Sequence, residues 1–265
     1  ERRLMKGFLH AALTALERYN RIAIATVVRA SGSTPRAAGA KMLIFPDGTA
    51  QFTIGGGLFE SLVIKDALEV LQSGKPLTRT YAFTLDGQHA IGAVCGGSVE
   101  VLIEAMHNTP QLWIIGGGHI GQALMRAAAP LHFTISLFED RAEYARTPHD
   151  LPHVRAHHVA ADYHDMPEPG DDTFVCIVTK GYITDEAALR RVIRSRAHYI
   201  GFLGSRRKIH TVFENMKRDG FEGKLFERIY APIGESIHAD APEEIAISIL
   251  AQIIRVKNQV FTVES

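Results

Sequence analysis

The sequence has few cysteines, no excess charge and no long apolar run, and each absence excludes a class of protein. Only two of the 265 residues are cysteine, which argues against a disulfide framework and fits a reducing compartment. Lysine plus arginine and aspartate plus glutamate number 29 each, so bulk charge predicts no nucleic-acid partner. No apolar run approaches the roughly 20 residues that span a bilayer, and residues 1–10 lack a signal-peptide core. We expect a cytoplasmic protein with no membrane partner.

The arrangement of strands and helices changes near residue 108, which predicts two domains. Residues 1–108 mix predicted strands and helices without regular alternation, which is typical of a mixed α/β domain. Residues 109–265 alternate buried strand runs with helices, which predicts a Rossmann-like, doubly wound parallel sheet. Near the end of the chain, Asp240 with Glu243 predicts a capping box before a helix over residues 244–257.

A G-x-G-x-x-G motif directly follows the predicted strand at residues 112–115 and opens a helix. This context suits a dinucleotide, whose phosphates would lie on the helix N-terminus. The alternative is a glycine turn required only for packing. The motif residues singled out for cofactor binding are Gly116, Gly118, His119 and Gly121.

The acidic residue that accompanies such a motif is present about 20 positions later. Either Glu139 or Asp140 can fill this role at the end of the second strand, and we take Asp140 as the candidate. Arg141 beside it favours a ribose 2′-phosphate, although a solvated charge is equally compatible with the sequence.

A second candidate anion site follows the strand predicted over residues 198–203. Ser205, Arg206 and Arg207 stand there with Lys208, and cations at the carboxyl end of a parallel strand suit a phosphate or carboxylate. The alternative is the exposed first turn of the next helix, where positive charge opposes the helix dipole.

The two cysteines have dissimilar surroundings. Cys176 lies in an apolar strand run and is predicted to be a core residue. Cys95 is followed by Gly96 and Gly97 and preceded by further small residues, so backbone N–H groups can approach its sulfur and lower its pKa. Such a thiolate suits a metal ligand or a nucleophile, and the alternative is a turn cysteine without chemistry.

Other loops of the first half carry groups that suit an anionic ligand. Arg36, in the segment Ser33-Thr34-Pro35-Arg36, is a bidentate donor held beside a proline. Gly56 and Gly57 precede Glu60, whose carboxylate can serve in acid–base chemistry or accept backbone N–H groups of its own loop.

Together these motifs resemble the xanthine dehydrogenase accessory protein family (XdhC/CoxI) over nearly the whole chain. The resemblance implies a maturation factor that binds molybdenum cofactor, protects it during sulfuration and inserts it into an apo molybdenum hydroxylase. It also implies a cysteine desulfurase partner and a homodimer. Cys95 becomes the candidate ligand of the molybdenum, and the glycine motif with Asp140 would hold a nucleotide, such as the dinucleotide form of molybdopterin.

One departure from the family is visible after the strand that ends at Thr179. Many members have Thr-His-Asp-His there, whereas this chain has Thr179-Lys180-Gly181-Tyr182, so no role of those histidines is carried over. The resemblance favours an accessory protein over a turnover enzyme. The alternative functions are an NAD(P)-dependent oxidoreductase, which leaves Cys95 without a role, and a nucleotide-sensing regulator.

Overall fold

The computed structural model describes residues 2–83, 96–146, 150–151 and 154–261. The chain divides into two compact units. The first comprises the residues up to Asn108 and those from Val260 onward, and the second comprises Thr109–Gln259.

The first unit contains an antiparallel sheet of order β3-β2-β1-β5-β4 with two helices. Its elements are α1 (Arg2–Tyr19), β1 (Arg21–Ser31), β2 (Lys41–Ile44), β3 (Ala50–Phe52), α2 (Gly57–Ser73), β4 (Leu77–Ala82) and β5 (Ser98–His107). β2 and β3 form a hairpin around Pro46-Asp47-Gly48, and Asp47 Oδ1 accepts the Thr49 N–H at 2.9 Å inside this turn.

The two helices of the first unit cover opposite faces of its sheet. Ala23 and Ala25 of β1 pack with α2, whereas Ile22 packs with α1. This division follows from the alternation of side chains along a strand. The first half therefore builds its own hydrophobic core.

The second unit contains a six-stranded parallel sheet of order β11-β10-β9-β6-β7-β8. Its elements are β6 (Gln111–Ile115), α3 (His119–Ala128), a 3₁₀ turn (Ala129–Leu131), β7 (Thr134–Glu139), β8 (Val154–His158), β9 (Thr173–Ile177), α4 (Tyr182–Val192), β10 (Tyr199–Phe202), α5 (Arg206–Arg218), a second 3₁₀ turn (Gly223–Arg228), β11 (Ile229–Tyr230) and α6 (Pro242–Phe261).

Helices lie on both faces of this parallel sheet. Trp113 and Val175 pack with residues of α4 and α5 on one face. On the other face α3 lies close to β6: a Cβ on Gly121 would lie 3.5 Å from Cγ2 of Ile114. Because both faces are covered, the central strands β9 and β10 are buried along their whole length. The predicted Rossmann-like, doubly wound sheet is confirmed.

The predicted start and capping of the last helix, α6, differ from the structure. The capping acid of α6 is Glu244, not Glu243: its Oε2 accepts the Asp240 and Ala241 N–H groups at 3.0 and 3.2 Å. The helix begins at Pro242. Proline favours the first helical position, so the capping register shifts by one residue.

Within the described residues, no helix is both long enough and apolar enough to cross a bilayer.

A buried polar cluster links α2 to β4 in the first unit. Asp66 of α2 is 4% exposed and accepts hydrogen bonds from the Arg79 guanidinium and the Tyr81 hydroxyl. Burial, together with the Asp66 carboxylate, raises the pKa of Tyr81, so the hydroxyl stays protonated and keeps donating. The charge of Asp66 is therefore satisfied inside the core.

Tyr81→Phe is expected to destabilise the protein by about 2 kcal/mol, because the buried carboxylate of Asp66 loses one of its donors. Urea denaturation measures the change. Tyr19→Phe is the matched control: its hydroxyl donates to the exposed Asp47 Oδ2 at 3.2 Å, and its loss should cost less than about 0.5 kcal/mol. Equal losses for the two variants would contradict the role given to the buried cluster.

Candidate functional site

The loop between β6 and α3 carries the G-x-G-x-x-G motif, and its geometry shows at which of the three positions packing requires glycine. Gly116 has a φ of +116°, and a Cβ there would lie 2.5 Å from the Val178 carbonyl oxygen. A Cβ on Gly121 would lie 1.9 Å from the Gly116 carbonyl oxygen. A Cβ on Gly118 would meet no atom within 4 Å. Packing therefore requires the outer glycines, whereas Gly118 keeps the helix N-terminus open.

Glu139, at the end of β7, holds this loop to the neighbouring strand. Its buried carboxylate accepts the Gly117 N–H through Oε2, and the Arg141 Nε donates to Oε1 at 2.7 Å. The Arg141 guanidinium also lies 4.1 Å from the centroid of the Tyr144 ring, a cation–π contact. Both carboxylate oxygens of Glu139 therefore accept hydrogen bonds from within the protein. Arg141 is held by the Glu139 carboxylate and by the Tyr144 ring.

A cavity of about 340 Å³ lies at the carboxyl ends of the parallel strands. Its lining comes from the segments that follow β6, β7, β9 and β10 and from the first residue of α6: Gly118, His119, Ile120, Arg141, Tyr144, Val178, Thr179, Lys180, Leu203 and Pro242. Ligands of open parallel sheets bind at this edge. Among the described residues, the lining contains two cationic side chains, Arg141 and Lys180, and no acidic one; the carboxylates that pair with them, Glu139 and Asp140, lie outside the lining.

Asp140, the acid chosen from the sequence, contacts a residue to which the sequence pattern gives no role. Lys180 Nζ donates to its Oδ2 at 2.7 Å. Partial burial would raise the pKa of Asp140, but the hydrogen bond and charge of Lys180, together with an interaction with the neighbouring Glu139, outweigh it and lower the pKa. Asp140 is therefore an ionised partner of Lys180 at neutral pH.

The loop after β10 is organised around α5. Ser205 caps this helix by accepting the Lys208 N–H at 3.3 Å. Arg206 and Arg207 are exposed, and neither lines the cavity. Lys208 forms an ion pair with the buried Asp185. The predicted anion site thus has its serine and lysine engaged within the protein, and its two arginines face solvent.

Asp185 is a further buried acid beside this edge of the sheet. Its Oδ1 accepts the Thr179 hydroxyl at 2.8 Å, and burial raises its pKa despite Lys208. Thr179 and Lys180 lie just after β9, whereas Asp185 lies in the first turn of α4. The position after a parallel strand is the signal by which sequence reasoning could have found Thr179 and Lys180.

The first unit brings its glycine-containing loops together. Ser33 forms a parallel bridge with Gly96, and a Cβ on Gly97 would lie 2.2 Å from the Ser33 carbonyl oxygen. A Cβ on Gly55 would lie 2.5 Å from Cγ of Pro35. The segments selected from the sequence as ligand loops are therefore neighbours in the fold.

Within these loops the predicted residues differ in what they contact. Glu60 Oε1 accepts the Ile54 N–H at 3.0 Å and the Thr53 hydroxyl at 2.5 Å. Partial burial would raise its pKa, but these and neighbouring backbone hydrogen bonds lower it. Glu60 thus stabilises its own loop, whereas Gly56 and Gly57 adopt positive φ with open space beside them.

Two remaining predictions concern the same loops. Arg36 is exposed, and its guanidinium makes no hydrogen bond or ion pair to the described residues. Cys95 lies outside the described residues. Within the described residues, no group of three or more metal-ligating side chains is placed to hold an ion.

Comparisons with known proteins agree with this architecture. A family model described as the XdhC Rossmann domain matches residues 112–253, and one described as the XdhC and CoxI family matches residues 15–82. A crystal structure of a xanthine dehydrogenase from Bacillus halodurans is similar with a TM-score of 0.51 and 21% identity, covering 97% of both chains. At this identity the likeness shows the fold.

Two curated proteins are related in sequence. The uncharacterized protein YqeB of Escherichia coli (strain K12) is 36% identical over 242 residues, which cover 89% of this chain and 43% of that protein. A probable xanthine dehydrogenase subunit from Bacillus subtilis (strain 168) is 23% identical over 63% of this chain and 48% of its own length. The chain thus spans less than half the length of these relatives.

Gly121→Ala is expected to lower stability by about 2 kcal/mol or more, because the new Cβ would overlap the Gly116 carbonyl oxygen and force α3 away from the loop. Gly118→Ala is the matched control, since its φ of −68° suits alanine and its surroundings are open. Thermal denaturation compares the two variants. An unchanged melting temperature for Gly121→Ala would contradict the packing described for this loop.

Proposed function

Because this chain belongs to the XdhC and CoxI family, we propose that it is a maturation factor for a xanthine dehydrogenase-type molybdenum hydroxylase. It takes up molybdenum cofactor as cargo, holds it while a sulfido ligand replaces an oxo ligand, and delivers it to the apo-enzyme. A cysteine desulfurase supplies the sulfur, and the chain works as a homodimer.

The observation that carries this proposal is the meeting of the glycine loops in the first unit. Ser33 bridges to Gly96, the residue that follows Cys95 in the sequence. Gly56 and Gly57 have open space beside them, so backbone can approach a bulky ligand there. Arg36 supplies a guanidinium free to bind an anionic group. The loop set therefore suits a large anionic cargo.

In this proposal Cys95 is the ligand or anchor of the cargo. Thiolate is a soft ligand and suits metals that accept sulfur. A single protein ligand also permits release, because delivery requires only that bond and the loop contacts to be exchanged. Glu60 has a positioning role, since its carboxylate fixes the backbone of the adjacent loop.

We further propose that the second unit binds a nucleotide in its 340 Å³ cavity. The N-terminus of α3 supplies unpaired N–H groups and a favourable dipole for phosphate. Gly118 leaves room above those groups. Arg141 and Lys180 add positive charge. The nucleotide is either the dinucleotide portion of the cargo or a separate NAD(P).

Metal analysis tests the cargo role. The protein is purified anaerobically from cells that make molybdenum cofactor, and molybdenum and pterin are measured. We expect stoichiometric molybdenum in the parent chain and a loss of at least tenfold in Cys95→Ala, because the metal loses its thiolate. Cys176→Ala is the control and should retain the cargo.

Two results would count against the proposal. A parent protein that carries neither molybdenum nor pterin would reject the cargo role, and turnover of a small carbonyl or alcohol with bound NAD(P)H would favour an oxidoreductase. If Cys95→Ala is fully loaded with cargo and still activates the client enzyme, the role given to the Cys95 thiol is wrong, but the cargo role of the chain stands.

Thiol labelling tests whether the two cysteines differ as the sequence predicts. Cys176 is 0% exposed in β9, and burial raises the pKa of its thiol, so it should react with a maleimide only after denaturation. Labelling of the native chain should therefore disappear in Cys95→Ala and persist in Cys176→Ala. Fast native labelling of Cys176, located by mass spectrometry of the peptide, would contradict the burial.

A further inference from the structure

The ion pair between Lys180 and Asp140 lies across the end of strand β6. Asp140 directly follows β7, Lys180 lies three residues beyond the end of β9, and β6 stands between these strands in the sheet. Their side chains meet at 2.7 Å. The pair therefore spans the edge of the sheet at which the glycine loop begins and the cavity opens.

The two partners differ in how freely they can move. The Lys180 side chain is 42% exposed, whereas that of Asp140 is 10% exposed. An ion pair with one partner so exposed contributes little to folding, and lysine is a flexible point charge with several donors. Lys180 can thus exchange partners, whereas Asp140 is held at the end of its strand.

Two other cations near this edge, Arg141 and Lys208, are held more firmly. Arg141 donates to both carboxylate oxygens of Glu139 and lies over the Tyr144 ring. Lys208 is paired with the buried Asp185 and does not line the cavity. Lys180 lines the cavity and is joined to its acid by one hydrogen bond. It is therefore the side chain best placed to reach an anion that enters.

We propose that Lys180 is the phosphate-binding side chain of this cavity, and that Asp140 is its counter-ion until a phosphorylated ligand takes its place. The inference rests on the proposed nucleotide site of the second unit and names one of its binding residues. It also changes the predicted role of Asp140. In the sequence interpretation this acid assists binding, whereas here its charge competes with the phosphate.

Calorimetric titration of the full chain with inorganic pyrophosphate and with guanosine diphosphate tests the proposal. Pyrophosphate has no ribose, so it isolates the phosphate contact from any hydrogen bond that Asp140 could accept from a sugar. Lys180→Gln should weaken binding of both probes at least tenfold. Asp140→Asn should strengthen binding of pyrophosphate at least threefold, because its competitor charge is gone.

A second ion pair on α5 provides matched controls. Lys217 Nζ lies 2.9 Å from Glu214 Oε1, with both side chains partly exposed. Lys217→Gln and Glu214→Gln remove the same charges and an equivalent contact away from the cavity lining, and each should leave both affinities within twofold of the parent chain.

The double variant separates competition from a general effect of charge. When Asp140→Asn is added to Lys180→Gln, it should not strengthen pyrophosphate binding, because no lysine remains to be released. If Asp140 acted only through its general charge, the gain in affinity seen in the parent chain would appear in the double variant as well. The inference is wrong if the parent binds the probes and Lys180→Gln binds equally well, or if Asp140→Asn weakens pyrophosphate. A parent chain that binds neither probe would reject the nucleotide site itself, and this inference with it.

Discussion

The buried carboxylate of Glu139 is the interaction on which the candidate nucleotide site depends. It joins the end of β7 to the glycine loop through the Gly117 N–H, and it fixes Arg141 beside that loop. A buried carboxylate is tolerated only when donors surround it, so the loop, the strand end and the arginine must keep this arrangement together. The same contacts fix the backbone that leads to Gly118 and the position of Arg141 in the lining of the cavity.

The sequence predicted those parts of the fold that depend on local patterns. The buried runs of β6 and β9, the glycine loop and the helix after it follow from apolar content and turn chemistry within a short window. Strand β8 was not predicted, because it carries exposed arginine and histidine side chains and only its first residue is fully buried. Strand β11 has only two residues, which are too few to show an alternating pattern of buried and exposed side chains.

The site was harder to predict than the fold, because contacts between distant residues decide what each side chain does. Glu139 and Asp140 are adjacent acids at the end of β7. Which of the two contacts the glycine loop depends on the direction that each side chain takes, which alternates along a strand. The partner of Asp140 lies 40 residues away. Likewise, the sequence left open whether the Glu60 carboxylate serves in acid–base chemistry or accepts N–H groups of its own loop, and only the structure shows those N–H groups donating to it. Charge type can be read from sequence, whereas the partner of each charge cannot.

The close approach of Gly97 to the serine segment of the first unit has a mechanical consequence. A Cβ at this position would lie 2.2 Å from the Ser33 carbonyl oxygen and 2.9 Å from that of Ser31, so only glycine lets the two backbones come this close. Ser33 and Gly96 also form a β-bridge, so moving one segment alone would break that bridge. Any side chain at position 97 would force the two segments apart, which makes this glycine a condition for the loops of the cluster to meet at all.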